Sequence, residues 1–235
     1  MIAQKCLCWL TCIVLLISLQ GCRTYQPSMI SGLIYERHAV AHAQVRILDA
    51  DGRKIMATTN SQGIYRARVD TLTPPILVSA VAEGDAENCS DNSTLRPLCM
   101  AALLLKFPPA RNIIANVNPL TDRMVSDIAI QKGFIGPQQW VDSNTVGKVN
   151  AHEFNHALKH LRDGFSDALA EIGITPITDF NPAKIAMTDT HPLTEIFSLI
   201  HHNRNYDNNS GATGHTVLTD FGFRPIVGLV PFGAY

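Results

Sequence analysis

The chain has no surplus of positive charge. Its 19 lysines and arginines stand against 20 aspartates and glutamates in 235 residues, so the basic face that nucleic-acid binding requires is missing. The same balance leaves neither an acidic tail nor a polybasic membrane patch. Charged residues make up only 17% of the chain while hydrophobic residues reach 46%. That ratio supports a buried core and excludes a disordered chain. Cysteine is sparse, at six residues, too few to scaffold a fold of this length through disulfides alone. Neither Ser166 nor Ser198 sits in a Gly-x-Ser-x-Gly elbow. Gly211-Ala212-Thr213-Gly214 lacks the flanking strand and helix of a phosphate loop. No internal repeat is present.

What is there begins with an address. Lys5 precedes an apolar stretch over residues 6–19 that includes Trp9, Leu10, Ile13, Val14, Leu15, Leu16 and Ile17. A basic front, a short apolar middle and a small-residue end read as a secretory leader; a membrane span needs about 20 apolar residues. The stretch is followed by Leu19-Gln20-Gly21-Cys22, which resembles the lipobox of bacterial lipoproteins, with Gln20 where Ala or Ser is more usual. The resemblance implies cleavage before Cys22, diacylation of its thiol and acylation of the new amine. Two or more acyl chains, at about 0.8 kcal/mol per buried CH2, make a stable anchor where one would not. Arg23 in place of an aspartate implies, by the sorting habit of such lipoproteins, an outer-membrane destination facing the periplasm or the surface.

Cys6, Cys8 and Cys12 would depart with the leader and Cys22 would carry lipid, which leaves Cys89 and Cys99. An exported compartment is oxidising, so this pair is expected to close a disulfide.

Residues 31–81 alternate with period two. Ala43, Val45 and Ile47 share one strand face, opposite Gln44 and Arg46. Asp51-Gly52 and Asn60-Ser61-Gln62-Gly63 are turn chemistry between strand candidates at 54–59 and 64–69. Pro74-Pro75 precedes another strand candidate at 76–81. Five or six short strands at this spacing predict an antiparallel sandwich. The pattern Ser31-Gly32, then Ala43-x-Val45-x-Ile47-x-Asp49-x-Asp51-Gly52, then Thr58-Thr59-Asn60-x-x-Gly63-x-Tyr65 resembles the carboxypeptidase regulatory-like domain, a transthyretin-like β-sandwich. The likeness covers about fifty residues. It implies tight turns at the glycines, a Tyr65 ring in the core, and Thr58 and Thr59 on a pleated edge. His38-Ala39-Val40 departs from the family's usual Pro-Val-x-Gly in the first loop. Such domains are mostly non-catalytic modules.

Further along, 100–107 is a continuous apolar run that reads as a buried strand, and 112–117 is a possible return strand. Asn118-Pro119 marks a helix start. Leu120, Met124, Val125 and Ile128 give it an apolar stripe and Gly133 ends it. Asn116-Val117-Asn118-Pro119-Leu120-Thr121 is similar to the helix entry that follows the sandwich in a set of bacterial lipoproteins. A short helical turn is expected at 137–142, with Trp140 as a core residue. The longest periodic segment is 150–172, read as one helix with Phe154, Ala157, Leu158, Leu161, Phe165, Ala168, Leu169 and Ile172 facing inward. Another helix is expected near Thr190, a loop at 203–214, and an extended tail at 216–235.

His152-Glu153-Phe154-Asn155-His156 matches His-Glu-x-x-His. On a helix, two histidines four residues apart grip one Zn2+ while the glutamate polarises a water for peptide hydrolysis. Three observations weigh against this. Glu153 falls where a capping box places its acid, three residues after Asn150. At about 100° per residue, His152 and His156 lie about 160° and 200° round from Phe154, away from the apolar stripe. No third ligand follows at a recognised spacing: His160 lies on the outer side of the helix, Glu171 and Glu195 match no zincin class, and His191, His201 and His202 would have to fold close to complete a site.

The expected chain is therefore α+β. It has a leader over 1–21, a tether over 22–30, a regulatory-like antiparallel β-sandwich over 31–117, and a smaller helical region with an extended tail over 118–235. Its expected role is that of a lipid-anchored, non-catalytic envelope module that touches the membrane through Cys22 and either binds an envelope protein or glycan or is purely structural. No catalytic residue, metal or cofactor is assigned, and no nucleic acid is expected as a partner. The competing reading is a zinc-dependent metallopeptidase with His152 and His156 as ligands and Glu153 as base.

Overall fold

Period-two alternation in most of the strands builds two sheets that share one core. In the computed structural model, residues 28–84, 89, 98–107, 112–174 and 180–197 are described. The leader, Cys22, His201, His202, Ser198 and the tail lie outside them. β1 (Met29–Leu33) pairs antiparallel with β4 (Ile64–Arg68) and parallel with β7 (Asn112–Ile114). The second sheet runs β3-β2-β5-β6, built from β2 (Gln44–Leu48), β3 (Lys54–Thr58), β5 (Ile76–Val81) and β6 (Cys99–Leu104), all antiparallel.

Ile30, Tyr65, Ala67 and Ile113 of the three-stranded sheet pack against Val45, Ile47, Ile76, Val78, Met100 and Ala102 of the four-stranded one. Tyr65 is fully buried, and its hydroxyl donates to the Ala115 carbonyl at 2.7 Å, so its one polar atom is satisfied. Gly32 lies against that carbonyl too: a Cβ there would stand 2.0 Å from the Ala115 oxygen. Gly52 and Gly63 take φ of +88° and +72° in the turns, the left-handed region that side-chain-bearing residues avoid. Thr58 ends β3 exposed, whereas Thr59 leaves the strand and is buried. Its hydroxyl accepts from the Ala43 N–H at 2.8 Å and donates to the Val40 carbonyl at 2.7 Å.

The continuous apolar runs of β5 and β6 have a geometric cause. Their even-numbered residues face the other sheet, while Leu77, Ala101 and Leu103 face a helical layer. Burial on both faces removes the polar alternation that a half-exposed strand would show. That helical layer consists of α1 (Pro119–Gln131), α2 (Pro137–Asp142), α3 (Ala151–Gly164) and α4 (Ser166–Glu171), with a 3-10 turn at Pro182–Lys184. Leu120, Met124, Val125 and Ile128 of α1 cover the sheet, and α3 adds Ala157, Leu158 and Leu161. Trp140 is buried in this layer and stacks on Phe134 with ring centroids 6.0 Å apart. The whole is an α+β assembly of two mostly antiparallel sheets and a helical layer.

Two details differ from the sequence reading. The last strand joins β1 in parallel, because the chain crosses from β6 in one sheet to the far edge of the other. The helix read as continuous over 150–172 breaks at Phe165 (φ −109°, ψ 8°). Gly164 and Ser166 flank that break, the residue pair at which helices commonly bend. Cys89 and Cys99 are disulfide-bonded, with Cα atoms 5.9 Å apart, tying residue 89 to the start of β6. No helix among the described residues is long and apolar enough to cross a membrane.

Candidate functional site

The His-Glu-x-x-His residues open α3. Asn150 is its N-cap: its side chain accepts from the Glu153 N–H at 2.9 Å, and Glu153 Oε2 accepts from the Asn150 N–H at 2.8 Å. The other carboxylate oxygen, Oε1, lies 3.3 Å from Lys132 Nζ, which also donates to the Lys148 carbonyl at 2.6 Å. The Asn150 N–H holds the Glu153 carboxyl below its ordinary value; desolvation opposes it, and the bond and charge of Lys132 add to the lowering. A general base needs a free oxygen aimed at a water between itself and the metal. Both oxygens of Glu153 are already bonded to the helix start and to α1's C-terminal lysine.

His152, His156 and His160 form an exposed row along the solvent side of α3. Ring centroids are 6.3 Å apart for His152–His156 and 4.3 Å for His156–His160. Beneath the row, on α1, Asp127 pairs with Arg123 at 3.1 Å, and both side chains are largely buried. Desolvation raises the Asp127 carboxyl above its ordinary value, opposed by Arg123 and, more weakly, by His160 and His156. Among the described residues no group of three or more His, Cys, Asp or Glu side chains is arranged to hold a metal. The described residues alone do not fit a hydrolytic zinc centre, which needs three protein ligands and an unengaged base.

His191 and Ser166 are engaged in local bonds. His191 Nδ1 accepts from the Leu193 N–H at 3.2 Å in a turn leading into helical residues 193–197. Glu171 and Glu195 are exposed. Ser166 Oγ donates to the Asp163 carbonyl at 3.1 Å and to Asp167 at 3.3 Å, with no imidazole among its partners.

Several buried polar residues are structural joints. Asp49 is fully buried and accepts from Asp51 N–H at 2.9 Å, Arg53 N–H at 2.7 Å and Thr73 N–H at 3.0 Å, joining the β2–β3 turn to the loop before β5. Asn116 accepts from Leu33 N–H at 2.8 Å and donates to the Ile185 carbonyl at 2.6 Å. Asn118 and Thr121 complete a capping box on α1, and Asn118 Nδ2 also donates to the Pro182 carbonyl at 3.0 Å. Asp122 accepts from the Ala101 N–H of β6 at 2.9 Å. The Asn116–Asp122 stretch thus connects a strand, a helix start and the 180s loop. Its sequence signal was the dense run of Asn, Thr and Asp around one proline; its bridging role needs partners up to 83 residues away. Tyr35, in the same layer, donates to Asp189 at 3.1 Å; burial, then this bond, push its hydroxyl up to about 12.

No protein-family model matches the chain, and no curated protein matches it.

Proposed function

We propose that this chain is an exported lipoprotein, held at a bacterial outer membrane through acylated Cys22, whose body is a transthyretin-like β-sandwich of the carboxypeptidase regulatory-like kind. Its role is non-catalytic: an envelope module that binds a protein or glycan partner. The observation that carries this reading is the bonded pair Cys89–Cys99, since structural disulfides persist in oxidising compartments. It is supported by the lipobox-like Leu19-Gln20-Gly21-Cys22 behind an apolar leader and by the three- and four-stranded sheets around one core. The non-catalytic part rests on how the reactive side chains are spent, with Glu153, Asp49, Asn116 and Asp122 all bonded to backbone.

The test is processing and fractionation in a bacterial host. The wild type should incorporate labelled palmitate and sediment with outer membranes, while Cys22→Ser should accumulate as an unlabelled precursor. Equal membrane fractionation of the two, or Cys89 and Cys99 thiols that label without reductant, would overturn the proposal.

A further inference from the structure

Of the two histidine pairs on α3, the one inside the His-Glu-x-x-His motif is the wider. A metal bound in the plane of an imidazole at a Zn–N distance of about 2.0 Å sits roughly 3.2 Å from the ring centroid. Two rings on one ion at 90–109° therefore have centroids roughly 4.5–5.2 Å apart. His156 and His160, at 4.3 Å and tilted by 47°, are within a small side-chain rotation of that span. His152 and His156 stand further apart, at 6.3 Å, and need the larger ring movement to share one ion.

Helix position separates the pairs further. His152 lies in the first turn of α3, where the backbone dipole presents its positive end and disfavours a cation. His156 and His160 lie one and two turns further on, with the Asp127 carboxylate of α1 close enough to feel both rings. Arg123 balances part of that negative charge through its own bond to Asp127. Lys159, the lysine between them in sequence, is held by Asp163. All three histidines are exposed.

We propose that His156 and His160 form a two-imidazole chelate for a borderline divalent transition ion, with His152 outside it. The protein supplies two nitrogen ligands and water fills the other positions, so the site is a capture or cross-linking site rather than a hydrolytic centre. Nitrogen donors place Cu2+ above Ni2+ and Zn2+ in affinity, and leave Mg2+ unbound. Binding one ion across successive turns staples α3, so the ion raises the melting temperature of the folded state by mass action.

The experiment is equilibrium dialysis of the full chain against Cu2+ and, separately, Zn2+, with His152→Ala, His156→Ala and His160→Ala alongside. All three positions are solvent-facing, so each variant should fold, which its far-ultraviolet dichroism checks. The wild type and His152→Ala should retain one equivalent that both His156→Ala and His160→Ala lose. The ion-dependent rise in melting temperature should vanish with it. Loss of that equivalent in His152→Ala, its retention in His160→Ala, or no bound ion in the wild type at tenfold excess overturns the assignment.

Discussion

Asn150 and Glu153 hold each other across the first turn of α3: each side chain accepts from the other residue's backbone N–H, at 2.9 and 2.8 Å. The glutamate that makes the sequence look like a peptidase is thereby a helix cap. Its bond to Lys132 extends the cap to the end of α1.

That relationship sets the first prediction. Asn150→Ala and Glu153→Ala should each cost about 1 kcal/mol, and Glu153→Gln should cost less because an amide oxygen still accepts from the Asn150 N–H. The Glu153 carboxyl is held below its ordinary value in the folded chain. Its contribution is therefore present above the unfolded value and lost as pH falls through the folded one. Urea denaturation at pH 7 and below pH 4 should show the gap between wild type and Glu153→Ala narrowing in acid. A gap that widens would contradict the cap.

Asp49 gathers three backbone N–H groups onto one buried carboxylate. Removing its carboxylate orphans the N–H groups of Asp51, Arg53 and Thr73. Asp49→Ala should cost about 3 kcal/mol, since hydrogen bonds to a buried charged group are the stronger kind. Asp49→Asn should lose roughly half of that, because its oxygen serves one side of the network while its NH2 opposes the other donor. Denaturation midpoints read the order, and hydrogen exchange at Thr73 locates the effect.

The Arg123–Asp127 pair carries the opposite pH sign. Desolvation raises the Asp127 carboxyl in the folded chain, so this group's contribution is greatest in acid and declines as pH rises past the unfolded value of 3.8. Asp127→Asn should be at least as stable as wild type at pH 7, and the difference between them should shrink toward pH 4. Arg123→Leu leaves the carboxylate unpaired and should cost about 2–3 kcal/mol at pH 7, less at pH 4. A parallel pH profile for wild type and Asp127→Asn would show that Asp127 titrates as it does when unfolded.

Much of the strand layout was readable from the chain because alternation and turn chemistry are local. Val45 and Ile47 on one face, with Gly52 and Gly63 at positive φ, follow from residues within a few positions of each other. The outward placement of His152 and His156 was equally local, since a helical wheel needs only the spacing of apolar residues. The parallel approach of β7 to β1 was not readable: it pairs Ile30 with Ile113 across a chain crossover that no local pattern encodes. Nor was the break at Phe165, where apolar periodicity continues through a change in backbone direction. At the candidate site, the motif drew attention to His152 and His156, while the narrower His156–His160 spacing depends on ring orientation.

By itself the sequence determined the elements whose causes are near neighbours: the half-buried strands, the glycine turns, the Asn118 and Asn150 helix starts, and which side of α3 meets solvent. Only the tertiary structure decided what the continuous runs of β5 and β6 are for. A second layer on their outer face buries Leu77, Ala101 and Leu103 as well, and apolar area removed from water on both sides leaves no periodicity for a sequence pattern to show. The same layer decided the use of the polar residues. Asn116 and Asp122 bond to groups that only folding brings within reach, because a buried N–H or carbonyl must find its partner wherever the chain supplies one.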